Sequence, residues 1–275
     1  DYLVHNTLFL VAHFHNMLIP GLLYGMLAGY TYWFPKAFGF RLDERWGRVA
    51  VACWVVGFYL AFMPLYVLGA SGMARRTSAI FEPDFRPWLY VACVGAFVLL
   101  AALVSLGVQL SVSIRTRDAR RVPAGDPWDG RSLEWAIPSP PPAYNFAVLP
   151  PVDRRDWFYD RKHDAAKPDP YRRPAGYEAI DMPRNAMSGM AIGLSAAMAA
   201  FGLVWGMWWL AVVSVELVVA AVVLRSFGRG QHRTIPARQV AAEHDAWLAL
   251  VHATPPTPRQ TEMSDANRGR AEIKA

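Results

Sequence analysis

The chain has 275 residues, 54% of them hydrophobic and 18% charged, with 11 tryptophans and a formal net charge of +6 at pH 7. Soluble domains carry about 25% charged residues, so this balance excludes a soluble enzyme, a secreted disulfide scaffold and a disordered tail. The basic excess does not indicate a nucleic-acid partner, because the basic residues fall between long uncharged runs, as membrane orientation requires.

In chain order, no Asp, Glu, Lys or Arg occurs in 2–35, 49–74 or 87–114, and the run 185–224 holds only Glu216. A bilayer core takes about 20 apolar residues per helix. The runs therefore predict an all-α integral membrane protein with five spans, at 3–34, 49–72, 88–114, 186–205 and 208–226. The polar stretch 115–184, with Pro138-Ser139-Pro140-Pro141-Pro142 inside it, predicts extended, polyproline-like chain. Cys53 and Cys93 fall inside spans and read as packing residues. The first span begins at once after Asp1, without a methionine, so the chain reads as the C-terminal part of a longer protein.

Lys and Arg number 4 in 36–48, 3 in 73–86, 13 in 115–184 and 8 in 225–275. Five spans put the first, third and fourth of these groups on one side, 25 against 3. Positive-inside then makes that side cytoplasmic and places Asp1 and Arg75-Arg76 on the periplasmic face.

Three histidines lie in the first span: His5, His13 and His15, the last two in Ala12-His13-Phe14-His15-Asn16. Ionisable groups at membrane depth commonly face a protein interior and carry function. An open strand does not cross a bilayer, so the span is a helix, and residues two apart lie about 200° apart around it and about 3 Å along it. His13 and His15 therefore cannot share one ion but can serve two centres on opposite sides. Haem, metal and proton relay all remain open on geometry, with two haems the natural assignment because haem iron takes axial imidazole. His5, about 12 Å further out and about 80° round on a continuous helix, suits the periphery of the His13 ligand. Ser71-Gly72-Met73-Ala74-Arg75-Arg76 closes the second span. Arginines there snorkel to lipid or bind carboxylates bidentately.

These residues resemble a family. Asp1-Tyr2-Leu3-Val4-His5-Asn6 with Val11-Ala12-His13-Phe14-His15-Asn16 resembles the tenth core helix of subunit I of the haem-copper terminal oxidases. Ala61-Phe62-Met63-Pro64-Leu65-Tyr66 leading to Arg75-Arg76 is similar to the eleventh helix and its propionate loop. Gly125-Asp126-Pro127-Trp128, Leu133-Glu134-Trp135, Ser139-Pro140-Pro141-Pro142-Ala143-Tyr144-Asn145-Phe146 and Asp181-Met182-Pro183-Arg184-Asn185 resemble the segment after the twelfth helix in bacterial members. Asn6 and Asn16, where cytochrome c oxidases generally have Asp and Tyr, point to the bo-type ubiquinol oxidase branch. A neutral Asn6 also weakens any divalent-ion site there.

The resemblance implies a fold of three helices from the twelve-helix core (1–115), a cytoplasmic Pro-rich loop (116–185), an accessory transmembrane hairpin (186–228) and a polar cytoplasmic tail (229–275). It implies His13 as the catalytic ligand of a high-spin haem o (or a), His15 as an axial ligand of low-spin haem b, and His5 near the high-spin haem. Arg75 and Arg76 would pair with haem propionates, with Asp1 in that network. Phe14 lies between the ligands, on the electron path or simply packed. Copper is implied with ligands outside the chain. Ubiquinol and oxygen are the implied substrates. The implied partners are membrane lipid and subunits II, III and IV, in a bacterial inner membrane. The rivals are a cytochrome c oxidase subunit I and a cofactor-free transporter or scaffold. Pro20 stands where the family has glycine, and predicts a kink just past His15. Glu216, alone in its span, reads as a carboxyl kept neutral by burial or facing another subunit, ahead of a proton relay. Trp205, Trp208 and Trp209 read as an aromatic belt, and His163, His232, His244 and His252 as solvent-exposed.

Overall fold

The computed structural model describes residues 2–80, 82–164, 166–184, 187–228, 232–255 and 257; Asp1 lies outside them. The chain forms two compact units. One holds Asp1–Asn145, Pro151–Arg172 and Trp247–Ala275, the other Phe146–Pro150 and Arg173–Ala246.

In the first unit, Thr7 starts α1 (Leu8–Asn16): its hydroxyl oxygen accepts from the Phe9 amide at 3.2 Å, the usual work of a short polar residue at a helix start. A π-helical stretch, Met17–Leu23, comes next, and then α2 (Tyr24–Phe38), which stops at Gly39 with φ of 76°. Pro20 sits inside the π-helical stretch. It has no N–H to donate, and its ring opposes the carbonyl four residues back. A wider turn accommodates both, and the Tyr24 amide reaches back five residues to the Ile19 carbonyl. The expected simple kink is therefore a seven-residue π-helical segment.

α3 (Glu44–Ala70) is capped by Asp43, whose carboxylate accepts from the Trp46 amide at 2.9 Å. α4 (Arg86–Arg115) is entered through a 3-10 turn at Pro83–Phe85. The two helices run antiparallel and meet at glycines. A methyl group at Gly95 would strike the backbone of Leu60 and Ala61, and one at Gly57 would crowd Leu99. Their other end is tied by polar groups: Gln109 Nε2 donates to the Asp43 carbonyl at 3.0 Å, and the Asp43 amide donates to Ser113 Oγ at 2.8 Å.

Leu8–Phe38, Glu44–Ala70, Pro83–Arg115 and Trp208–Phe227 are long and apolar enough to cross a membrane by length and composition. The helix at Ser188–Val204 is apolar but has only 17 residues. Five apolar helical stretches thus lie where five spans are expected, and four of them reach spanning length.

The stretch after α4 is not the extended chain that its composition predicts. It makes 3-10 turns at Arg117–Arg120 and Leu133–Ala136 and a short helix, α5 (Trp157–His163). Trp135, Trp157 and Phe158 form a buried cluster against which Tyr32, Trp128 and Tyr171 pack. Proline removes backbone donors and so discourages regular elements, but it does not stop large aromatic rings from leaving water. Lys162 closes this cluster: its ammonium meets Asp126 at 2.7 Å and Asp129 at 2.8 Å, all three nearly buried. His163 joins Asp129 at 2.9 Å, so it is not the solvent-exposed histidine expected. Lys36 is buried too. It donates to the carbonyls of Ile137 and Pro138 at 2.8 and 3.2 Å and lies over the Trp135 ring.

The second unit contains a helical hairpin, α6 (Ser188–Val204) and α7 (Trp208–Phe227), turning through Gly206 at φ 68°. Gly202 packs against the Ala211 backbone. Trp205, Trp208 and Trp209 at the turn are exposed. β1 (Ile180–Pro183) pairs antiparallel with β2 (His232–Ile235), and the first part of α8 (Ala237–Ala253), up to Ala246, comes after it. Tyr177 donates to Asp245 at 2.8 Å, and its hydroxyl oxygen takes the Nδ1–H of His244 at 2.9 Å. His244 is therefore half-buried and partnered, contrary to expectation, whereas His232 and His252 are exposed as expected.

Candidate functional site

α1 lies against the C-terminal half of α3. The contact is close because Gly69 leaves room for the Phe9 backbone, which any larger residue would strike, and because Ala12 is fully buried. The Phe9 ring meets Tyr66 edge-on at 4.8 Å. Ala12 marks the inward face of α1, and the helical repeat then sets the directions of the next residues. His13 is turned about 100° one way and His15 about 60° the other. His13 is exposed and His15 half-buried.

His15 is the more constrained. Its Nδ1 lies 2.8 Å from the Val11 carbonyl one turn back. A carbonyl only accepts, so Nδ1 carries a proton, and in the neutral ring Nε2 keeps its lone pair. That arrangement is the one that fixes the tautomer of an imidazole metal ligand. The ring is held in plane by Phe62 of α3, stacked at 4.5 Å, and by Phe14 at 4.2 Å. The π-helical stretch begins two residues later, and such stretches recur at functional sites. Among the described residues no three His, Cys, Asp or Glu side chains gather as a metal-binding group.

His5 is not on the helix. Residues 2–6 are in turns, so the helical projection from His13 does not apply to it. A short antiparallel bridge instead binds this segment to the chain after α3. The Leu8 amide donates to the Met73 carbonyl at 3.0 Å and the Arg75 amide to the Asn6 carbonyl at 2.9 Å. The Arg75 guanidinium also donates to the Asn6 side-chain oxygen at 3.3 Å. The structure thus joins the two motifs that the sequence kept apart, His5-Asn6 and Arg75-Arg76, at the head of α1. Arg75 is half-buried and Arg76 exposed. Gly72 with φ 91° and Arg76 with φ 62° turn the chain here. The left-handed conformation disfavours a residue with a Cβ by about 1–2 kcal/mol, a cost that Arg76 carries beside the bridge. The sequence singles out Asn6 only as a neutral residue that weakens a divalent-ion site, not as the partner of Arg75, and it does not single out Thr7 or Phe62 as parts of this site. Only Thr7 carried a local signal, as a hydroxyl residue before an apolar run.

Residues 1–98 match the family described as Cytochrome C and Quinol oxidase polypeptide I. The chain is 45% identical over 241 residues to a probable cytochrome c oxidase subunit 1 of Bradyrhizobium diazoefficiens, covering 88% of this chain and 36% of that protein. It is 46% identical over 226 residues to a cytochrome bo(3) ubiquinol oxidase subunit 1 of Buchnera aphidicola, covering 82% and 34%. To a ubiquinol oxidase subunit 1 of Acetobacter aceti it is 45% identical over 244 residues, covering 88% and 36%. The chain spans about a third of the length of these relatives.

Proposed function

We propose that this chain, whose residues 1–98 match the cytochrome c and quinol oxidase polypeptide I family, is part of the catalytic subunit of a proton-pumping haem-copper quinol oxidase. The observation that carries this reading is the pair of imidazoles two residues apart on one helix, with His15 held so that Nε2 is its free nitrogen. An axial ligand of haem iron needs a neutral imidazole, one unencumbered nitrogen and a fixed ring plane, and the residues present fit that requirement.

His15 holds the iron of low-spin haem b, and His13, on the other side of α1, holds the iron of a high-spin haem o or a in the oxygen-reducing centre. Arg75 and Arg76, with His5 on the same edge, bind propionate carboxylates as planar two-pronged donors, and Asp1 extends that network. Copper is held by residues of the longer polypeptide. These groups, when bound, carry electrons from ubiquinol and reduce oxygen to water. The part played by this chain is to present two imidazoles on opposite sides of α1, fix the ring plane of His15 between Phe14 and Phe62, and keep the propionates ionised. The chain crosses a bacterial cytoplasmic membrane five times, three helices belonging to the core and the hairpin 186–228 standing as an accessory. The loop 116–185 and the tail 229–275 lie on the cytoplasmic side, and subunits II, III and IV surround the whole.

The test uses the full-length complex. His15→Ala removes the low-spin haem band, whereas His13→Ala leaves that band and abolishes carbon monoxide binding at the high-spin haem. Indistinguishable spectra from the two variants would overturn the two-centre assignment. A cytochrome c oxidase is the second reading, favoured by the Bradyrhizobium relative's name. Oxygen uptake with ubiquinol, and none with reduced cytochrome c, decides for the quinol.

A further inference from the structure

The antiparallel packing of α3 on α4 brings the first turn of one beside the last turn of the other. A cavity of about 610 Å³ opens where they meet, lined by Arg41, Arg45, Arg48, Arg120 and Arg121 against three carboxylates. Each carboxylate is already matched. Asp43 accepts from Arg120, Glu44 pairs with Arg48 at 3.0 Å, and Asp126 is held by Lys162 from outside the cavity. Arg41 is committed to the Pro127 carbonyl and the Trp128 ring. Arg45 has no ion pair among the described residues. Arg48 and Arg121 pair only with exposed neighbours, their own side chains 82% and 71% exposed. Such exposed pairs are worth about 0–1 kcal/mol, so both guanidiniums are free to turn to a better anion. Five arginines against three carboxylates leave a surplus of +2 in the lining.

We propose that this cavity binds a phosphate group, presented by the headgroup of an acidic phospholipid. Guanidinium is the side chain that meets phosphate with paired, parallel hydrogen bonds. The volume lies within the range of about 300–1,000 Å³ typical of small-molecule sites. The N-terminus of a 27-residue helix, α3, adds a favourable dipole. The position selects the lipid. The cavity sits where two apolar helices of spanning length end, with Trp46 partly exposed on the first turn of α3, and basic clusters at that level bind anionic headgroups. The proposal rests on α3 and α4 crossing the bilayer and not on the haem assignment.

The test is native mass spectrometry of the purified, delipidated membrane complex incubated with phosphatidylglycerol or phosphatidylcholine. The unaltered complex retains one more phosphatidylglycerol than the Arg45→Gln/Arg121→Gln variant, and Arg45→Lys/Arg121→Lys regains part of that binding. An unchanged haem absorption spectrum in each variant shows that the fold is kept. If the glutamine pair disturbs it, Arg48→Gln/Arg121→Gln, which breaks only exposed pairs, replaces it with the same expectation. Equal phosphatidylglycerol retention in variant and unaltered complexes overturns the proposal, as does equal retention of phosphatidylcholine. If inorganic phosphate alone raises the melting temperature of the unaltered complex as much as phosphatidylglycerol does, and not that of the variant, the site is for soluble phosphate and the lipid assignment falls.

Discussion

Arg75 shows how one side chain joins two distant stretches of chain. Its amide and its guanidinium both reach Asn6, 69 residues earlier, so its charge is placed at the head of the helix that carries His13 and His15. If Arg75 and Arg76 face haem propionates, changing either to Gln in the full-length complex removes a positive charge near a haem. The oxidised haem is the more positive state, so the loss favours it and the midpoint potential falls, on the order of tens of millivolts at the effective dielectric of about 20 that suits protein charges. Lys restores only part of the shift, because it lacks the planar fork. Spectroelectrochemical titration reads this, and potentials unchanged for both haems in both glutamine variants would assign the pair to lipid anchoring instead.

At the scale of elements, the helix contacts depend on residues with no side chain. Gly69→Val sets a branched side chain against the Phe9 backbone, which unlike a flexible side-chain end cannot give way. Overpacking of this kind costs about 1–3 kcal/mol, so the complex melts at lower temperature and α1 with its histidines shifts. Gly107→Ala on α4 is the control: a methyl there meets nothing within 4 Å, and melting is unchanged or raised. The polar cluster of the second unit gives a pH dependence. The Arg173 guanidinium, with help from the Tyr177 hydroxyl, holds the Asp245 carboxyl down to about 2 from 3.8. That contribution is present above 3.8 and fades only as the pH falls through about 2. Burial pushes His244 below its usual 6.5. The folded state therefore favours the neutral ring, and this contribution is complete above 6.5 and fades as the pH falls below it. Hydrogen exchange at residues 173–177 and in α8, corrected for its intrinsic rate, is faster at mildly acid pH than at alkaline pH, and His244→Gln flattens that difference. An equal pH dependence in the variant would remove His244 as the cause.

For the whole molecule, the distribution of charge predicts the topology. With 25 basic residues in the segments 36–48, 115–184 and 225–275 and 3 in 73–86, a reporter fused after Lys36 or Arg121 is cytoplasmic and one inserted near Glu82 is periplasmic. A cytoplasmic reporter near Glu82 would break the five-span arrangement. The count is unaffected by Lys36 being buried, since its ammonium is still held at the α2 end of the first span by two carbonyls of the loop after α4.

Near neighbours in the chain decide a large part of this protein, and that part is legible in its residues alone. Uncharged runs place the apolar helices to within a few residues, because leaving water is a property of each segment. The divergence of His13 and His15 comes from the helical repeat alone. Contacts between residues far apart in the chain decide the remainder. His5 lies off the helix where a bridge from Met73 and Arg75 takes the backbone of its neighbours Leu8 and Asn6, the aromatic core after α4 formed because Trp135 found Lys36 and Tyr32 about a hundred residues away, and Pro20 widened its helix instead of only bending it. The Val11 carbonyl that orients His15 was within local reach. The Phe62 ring that holds it flat had to come from another helix, and no periodicity in one segment can announce a partner supplied by another.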